Sequence, residues 1–451
     1  MKHIQTLLAK TNRFAGRGFA AAGAGLCLAS FTARGQQAFQ NLMSLDSYKT
    51  GQEQAQALPQ VYTFKEGDFR LLATPSLELD WNDNILGASS GAEEDFIIMP
   101  FLRLTATYPL TDRNVLSLTG GVGYDEYTMH SALSQLAVQA GTGPSFDFVA
   151  ADFYIDLHDY VSYSQQVNQQ PLVAGTGAFG SMNNTAGIRI SRDFGKVTLT
   201  LGYDYLTTFS TTSQFQSQSE QSELVYSRLA YQLSHSLSAG VELSAALVSY
   251  DQAILNNNEN YSAGVFATWQ PDAAFQIEPH VGYALYQFQQ TSQATLVPAT
   301  YYLGIAPVAI ETNGTIQTSD SGSWYANLKV THTITKTISY NVTAGHEIQG
   351  GVESDEVEDW FARLSLNWAV FKNISLSTGL SYEYGNQGVG NVHGNLTESF
   401  NFFSGNFSAS YAVTKKLDLG LRYNLTIRSS DQAQTSYTQD LMGLVLTYHP
   451  S

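Results

Sequence analysis

The chain has 451 residues, with 22 Lys and Arg against 39 Asp and Glu and a formal net charge of −17. Such a surface repels nucleic acid at long range. Only 14% of residues are charged, while Tyr, Phe, Gly and small polar residues abound, which points to a chain built mostly of strand.

Residues 1–35 hold five basic residues (Lys2, Lys10, Arg13, Arg17, Arg34) and no acid, interleaved with the short apolar run GFAAAGAGLCLASFTA. A basic region, a short apolar run and small residues at Ala33 and Gly35 form the pattern of a secretory signal peptide. The only cysteine, Cys27, lies inside it, so the mature chain would have neither a disulfide nor a thiolate metal site. Removing that leader takes five bases from 22 and leaves 17 against 39 acids, a net of −22. Residues 36–67 show no sustained alternation. They are open to three readings: a short periplasmic helix, a plug, or a disordered leader.

From residue 68 to 448 no apolar stretch is long enough for a spanning helix, and the dominant period is two. Strands are expected at 68–81, 95–108, 114–128, 144–150, 153–164, 184–191, 196–208, 222–233, 237–250, 259–269, 274–288, 322–332, 337–348, 357–369, 374–385, 398–411, 417–428 and 438–448. Tight polar turns such as Asp193-Phe194-Gly195 and Phe371-Lys372-Asn373 alternate with longer connections rich in Gln, Ser, Asn and Gly. The predicted fold class is all-β: a transmembrane antiparallel β-barrel of about 18 strands, with 16 as the alternative.

Aromatics recur at fixed levels. Tyr108, Tyr231, Trp269, Trp368, Tyr411 and Tyr448 stand at the short-turn end, and Tyr124, Tyr205, Tyr250, Tyr283, Tyr382, Tyr384 and Tyr423 toward the other. Two such rings are expected as membrane girdles. In KKLDLGLRYNLTIRS (415–429) the apolar phase would meet lipid, leaving Asp418, Arg422 and Arg428 to face the lumen. The same phase argument makes Arg103, Arg189, Arg228, Glu242, Glu278, His280, Lys329, Glu347 and Arg363 lumen-lining candidates. Beside that stands the plainer reading of solvated wall residues that pair with one another.

Several segments resemble the bacterial beta-barrel porin 2 family of outer-membrane barrels. They are PSLELDWNDNILGA (75–88), FIIMPFLRLTATYP (96–109), FYIDLHDYVSYS (153–164), SMNNTAGIRISRDFGKVTLTLGYDY (181–205) and AGVELSAALVSYD (239–251). The resemblance implies an outer-membrane barrel, often associated with exopolysaccharide loci, and brings no catalytic residues.

The longest connection, 289–321, is unusual for its length and apolar patches. It would either fold inward as a constriction or extend a hairpin above the membrane. Residues 129–143, 165–183 and 209–221 are expected as further outer loops. The acidic groups Glu93, Glu94 and Asp95, and Glu353, Asp355, Glu356, Glu358 and Asp359, match no calcium-loop spacing and read as a hydrated face or as weak divalent crosslinks to anionic outer-leaflet lipid. No GxSxG, HExxH, P-loop or dinucleotide fingerprint occurs. His158 and Asp159 are neighbours on a strand and so point to opposite faces.

No enzyme, cofactor, metal site or nucleic-acid partner is expected. A passive outer-membrane channel in a Gram-negative-type bacterium fits best. The alternatives are an exopolysaccharide export conduit with a periplasmic export partner, and a structural or adhesive barrel with an obstructed lumen. The implied surroundings are outer-membrane lipid, lipopolysaccharide and the outer-membrane assembly machinery.

Overall fold

A computed structural model of the chain describes residues 62–164, 171–172, 180–252, 255–289, 320–351, 356–389 and 398–449. Among these, 19 strands form one sheet. They are β1 (Phe64–Glu66), β2 (Phe69–Asn82), β3 (Asp95–Thr111), β4 (Asn114–Tyr127), β5 (Gln135–Ala150), β6 (Phe153–Ser164), β7 (Ser181–Asp193), β8 (Val197–Ser210), β9 (Glu220–Gln232) and β10 (Leu237–Tyr250). The rest are β11 (Asn258–Asp272), β12 (Phe275–Phe288), β13 (Ser321–Thr335), β14 (Ile338–Gln349), β15 (Glu356–Phe371), β16 (Ile374–Val389), β17 (Glu398–Ala412), β18 (Leu417–Ser430) and β19 (Tyr437–Tyr448).

Each of β2 to β19 pairs antiparallel with its sequence neighbours, and β19 returns to β2, so these 18 strands close a barrel. No described helix is long and apolar enough to cross a membrane. The wall strands run from 12 to 17 residues, more than the about 9–11 that a tilted strand needs to span hydrocarbon.

The two faces of the sheet differ as the period-two pattern requires. On β18, Leu419, Leu421 and Ile427 are exposed, whereas Thr426 and Arg428 are buried. Exposed large apolar residues occupy one phase of strand after strand, including Leu102, Leu118, Leu229, Leu243, Val265, Leu328 and Leu444. The other phase makes contacts between strands that are not neighbours: Arg228 of β9 reaches Glu278 of β12 at 3.1 Å, and Tyr325 of β13 donates to Glu242 of β10 at 3.0 Å. Only the concave side of a closed sheet permits such chords. The charged phase is therefore inside, and the apolar phase faces outward.

A closed sheet with an apolar exterior satisfies its backbone internally, the condition for lying in hydrocarbon. With an even strand number and short turns at the end that carries both described termini, it is a barrel of the outer membrane of a Gram-negative-type bacterium.

The turns at that end are two to four residues long. In 194–196, Gly195 has φ +92°, a region that favours glycine, and donates its N–H to Asp193 at 2.7 Å.

The seam between first and last wall strands is the shortest ladder between wall strands. It pairs Leu441–Thr447 with Ser76–Asn82, whereas β18 and β19 pair from Leu417–Tyr448 to Arg428–Tyr437. Two features extend it. Below, β1 pairs with Phe69–Leu71 of β2, so a three-residue strand from the region read as leader or plug adds to the sheet. Above, the Asp83-Asn84 pair clasps β19: the Asn84 side chain donates to the carbonyl of Thr438 at 3.0 Å, and Asp83 accepts the N–H of Asp440 at 2.7 Å.

One boundary requires correction. Residues 129–143 are not simply an outer loop, because β5 begins at Gln135 and the strand expected at 144–150 is longer. Its register shifts between Val138 and Thr142, where Gly141 and Gly143 break the alternation. At Gly143 a Cβ would come within 1.9 Å of the Asp159 carbonyl oxygen, so the bulge admits only glycine. The strand is real but its period is interrupted.

Two substitutions test this architecture. Leu421→Arg places a cation on the lipid face and is expected to cost about 2–4 kcal/mol if the site lies near the midplane, measured by equilibrium unfolding in lipid vesicles; an unchanged stability would contradict an outward Leu421. Asn84→Ala leaves the part-buried carbonyls of Thr438 and Ala88 and the N–H of Ala88 without their partner and should cost about 1 kcal/mol, read as a lower temperature for the folded-to-unfolded shift on detergent gels.

Candidate functional site

The inner wall is organised as ionic groups strung between strands. In the first, His280 of β12 lies between two carboxylates, Nδ1 at 2.9 Å from Glu242 and Nε2 at 2.8 Å from Glu278. Arg228 bonds Glu278, and its guanidinium lies 3.7 Å from the centre of the Phe266 ring. An imidazole with a carboxylate at each nitrogen donates to both only as the imidazolium. His158 of β6 repeats the arrangement, with Asp156 at 2.7 Å and Asp204 at 3.3 Å. Beside it Arg189 donates to the Tyr226 hydroxyl at 2.9 Å.

Arg422 pairs with Glu78 and Asp80 across β19, so an ionic link spans the seam from inside. Arg363 pairs with Glu383 at 2.7 Å. Glu347 and Asp359, register partners, are buried beside that pair. Asp418 stands near the short-turn mouth with His449 at 2.9 Å. Arg103 donates to Gln139 at 3.1 Å. Lys329 takes the inward phase opposite Glu278 and Thr343, and is half-buried.

All twelve candidates from the sequence thus lie in the inward phase, and they form several separate groups rather than one constellation. Two of these groups hold more acid than base: Glu78 and Asp80 against Arg422, and Glu347, Asp359 and Glu383 against Arg363. On the outer face Tyr108, Tyr231, Trp269, Trp368, Tyr411 and Tyr448 are all exposed, at the short-turn ends of their strands.

The external end is crossed by chain. Between β8 and β9, residues 213–218 form a 3-10 segment that carries Phe215 inward. Phe215 joins Leu172, Val357, Phe400 and Phe402 in one buried apolar cluster. Phe400 and Phe402 belong to β17, on the opposite side of the ring from β8 and β9. Arg428 fastens the neighbouring chain: its Nε donates to the Pro171 carbonyl at 2.8 Å, Nη1 to Thr435 and Nη2 to Glu398, each also at 2.8 Å. Its guanidinium lies 4.9 Å from the Phe400 ring centre.

The sequence pointed to 289–321 as the constriction candidate. Residues 290–319 lie outside the described residues, and the described crossing comes from 211–219 and 171–172. Phe215 inside QFQSQSEQ was its only signal, one aromatic in a stretch of amides.

Two further placements were missed. His346, named nowhere in the period-two reading, lies on the outer face between Trp324 and Trp360, with ring centroids 4.2 and 4.5 Å away and Glu358 at 2.8 Å from Nε2. Asp95, read as part of a hydrated acidic face, is fully buried. It accepts hydrogen bonds from Thr128 Oγ1 at 2.8 Å and from the N–H groups of Met129 and His130. The hydrogen bond to Asp95 holds the pKa of His130, in the connection above the wall, higher than the usual histidine value.

His158 points inward, whereas Asp159 bonds Asn184 on the outer face at 2.6 Å. Among the described residues no three His, Cys, Asp or Glu side chains converge to hold a metal ion.

No family model matches the chain, and no curated protein does. Among solved structures, Pseudomonas aeruginosa OccK5 (OpdH) is similar at 12% identity, over 84% of this chain and 97% of that one, with a TM-score of 0.45. Acinetobacter baumannii OccAB3 is similar at 11% identity, over 85% and 99%, with a TM-score of 0.44. Pseudomonas aeruginosa OccK2 (OpdF) in complex with glucuronate is similar at 9% identity, over 84% and 98%, with a TM-score of 0.45. At this distance nothing is carried over from them, and the fold rests on this chain's own strand ladders.

Removing Arg428 alone would leave Glu398 buried without its cation and Pro171 without its donor. Arg428→Met is expected to lower stability by about 3 kcal/mol, read from the thermal gel shift, with Arg428→Lys intermediate. A variant as stable as the parent would show that the crossing is not held there.

Proposed function

We propose that the chain is a passive outer-membrane channel whose inner wall favours cations and whose external mouth is narrowed by the Phe215 and Leu172 crossing. The observation that supports it best is the division of one closed sheet into an apolar exterior and an ionic interior. Solute moves down its gradient without a cofactor. The wall supplies charge and width, and the aromatic rings Tyr108, Tyr231, Trp269, Trp368, Tyr411 and Tyr448 anchor the barrel at the lower headgroup level.

Cation preference follows from the acid excess of the inward groups, since each inward arginine that pairs with a carboxylate is already neutralised. Arg103 donates to the Gln139 amide rather than to a carboxylate.

The apolar cluster at the mouth favours a second reading, a structural barrel with an obstructed lumen. The narrower alternative, export of an exopolysaccharide with a periplasmic partner, rests on the resemblance to the beta-barrel porin 2 family. Purified protein in a planar bilayer separates these. A channel gives stable conductance steps and, in a KCl gradient, a reversal potential of the sign for K⁺ over Cl⁻ with a permeability ratio of about 3 or more. Absence of steps would leave the obstructed barrel. Loss of surface polysaccharide on gene deletion, with small-solute uptake unchanged, would favour export.

A further inference from the structure

Charge is distributed along the barrel axis as unevenly as it is across the wall. The nine connections at the long-loop end are residues 83–94, 128–134, 165–180, 211–219, 251–257, 289–320, 350–355, 390–397 and 431–436. Their sequence contains no lysine or arginine. It does contain acids, among them Glu94, Asp251, Asp320 and Asp431, all exposed, and Glu93, which lies 2.8 Å from His130.

The short turns at the other end reverse the sign. Arg113, Lys196, Lys336, Lys372, Lys415 and Lys416 lie in them, also exposed, against Asp68, Asp112 and Asp152, with Arg192, Asp193 and Asp272 at the adjoining strand ends. No requirement of hairpin geometry explains the difference, because lysine, aspartate and glutamine are all compatible with exposed turn positions. The polarity is separate from the inner-wall groups, which lie on the wall strands and not in the connections.

We propose that the barrel is a bipolar pore, with an anionic external mouth that gathers cations and a cationic periplasmic rim that gathers anions, so that ionic current through it rectifies. The inference rests on the channel reading above and deepens it by naming where selectivity is set and in which direction.

When the electric field drives cations in from the external mouth and anions in from the periplasmic rim, each mouth supplies the ion it concentrates, and the lumen fills with carriers. When the field is reversed, each rim faces the ion it excludes, and the lumen is depleted. The effect requires the rim fields to reach the conduction path. They do so at a Debye length of about 10 Å in 0.1 M salt and are cut to about 3 Å in 1 M. The external mouth, already narrowed by Phe215 and Leu172, brings its acids nearest to the permeating ion.

The test is a current–voltage curve of the oriented full-length barrel in symmetric KCl. In 0.1 M salt the currents at equal and opposite voltages should differ by about twofold, larger when cations enter from the external side, and the ratio should fall toward unity in 1 M salt. The fourfold variant Lys336→Gln, Lys372→Gln, Lys415→Gln, Lys416→Gln and the threefold variant Glu94→Gln, Asp251→Asn, Asp320→Asn should each reduce the ratio. All seven positions are exposed, and the detergent-gel shift verifies that each variant is folded. A symmetric curve in low salt, or a ratio indifferent to both variants, overturns the bipolar assignment while leaving a conducting channel in place. Absence of any conductance removes the channel reading, and the bipolar assignment with it.

Discussion

Unpaired peptide groups are too costly to expose to hydrocarbon, each costing several kcal/mol. Every larger feature of this barrel answers to that condition. It forces the sheet to close, and closure brings the first and last wall strands, separated by hundreds of residues in sequence, into register. The β19–β2 ladder is the shortest in the ring, and chain outside it is recruited to support it: β1 along the lower edge of β2, the Asp83-Asn84 clasp above, and Arg422 reaching past β19 to Glu78 and Asp80. The seam is the one place where adjacency does not come from a hairpin, and these specific polar contacts reinforce it.

Much of this was legible in the sequence because a closed barrel has a simple code. One face meets oil and the other does not, so the alternation in LDLGLRYNLTIRS specifies both faces of β18 without knowledge of its neighbours. All eighteen wall strands were visible in this way, and strand ends moved by a few residues except at β5. There Gly141, Gly143 and a register shift carry the strand through a bulge, and an interrupted period looks the same as a loop. The inward phase of Arg228, Glu278 and His280 was equally legible. Their grouping was not, since Arg228 meets Glu278 only when β9 and β12 curve toward each other, and curvature is a property of the whole ring.

The crossing at the external mouth was illegible for a different reason. Length and apolar content directed attention to 289–321, whereas Phe215 sits in a short connection of ordinary composition. What marks it is its destination, the apolar surface that Val357, Phe400 and Phe402 present inside the barrel. Period-two reasoning places those three residues in the inward phase, where an aqueous lumen would leave apolar side chains wet. Inward apolar residues at the rim of a polar wall are thus themselves a signal that something covers them, and the sequence does contain it on β15 and β17.

The His346 cluster shows the same logic on the other face. A histidine in the outward phase, read alone, conflicts with a lipid surface. Flanked by Trp324 and Trp360 and bonded to Glu358, it becomes compatible with one, because the two indoles shield the imidazole and leave only the carboxylate toward water. Polar residues in this barrel are tolerated on either face largely under one rule: a charge or donor stays where a partner has been provided for it. The external connections are the exception that acquires meaning from the rule. Their exposed acids Glu94, Asp251 and Asp320 have no arginine or lysine in any neighbouring connection. Their charge is consequently left for ions to answer.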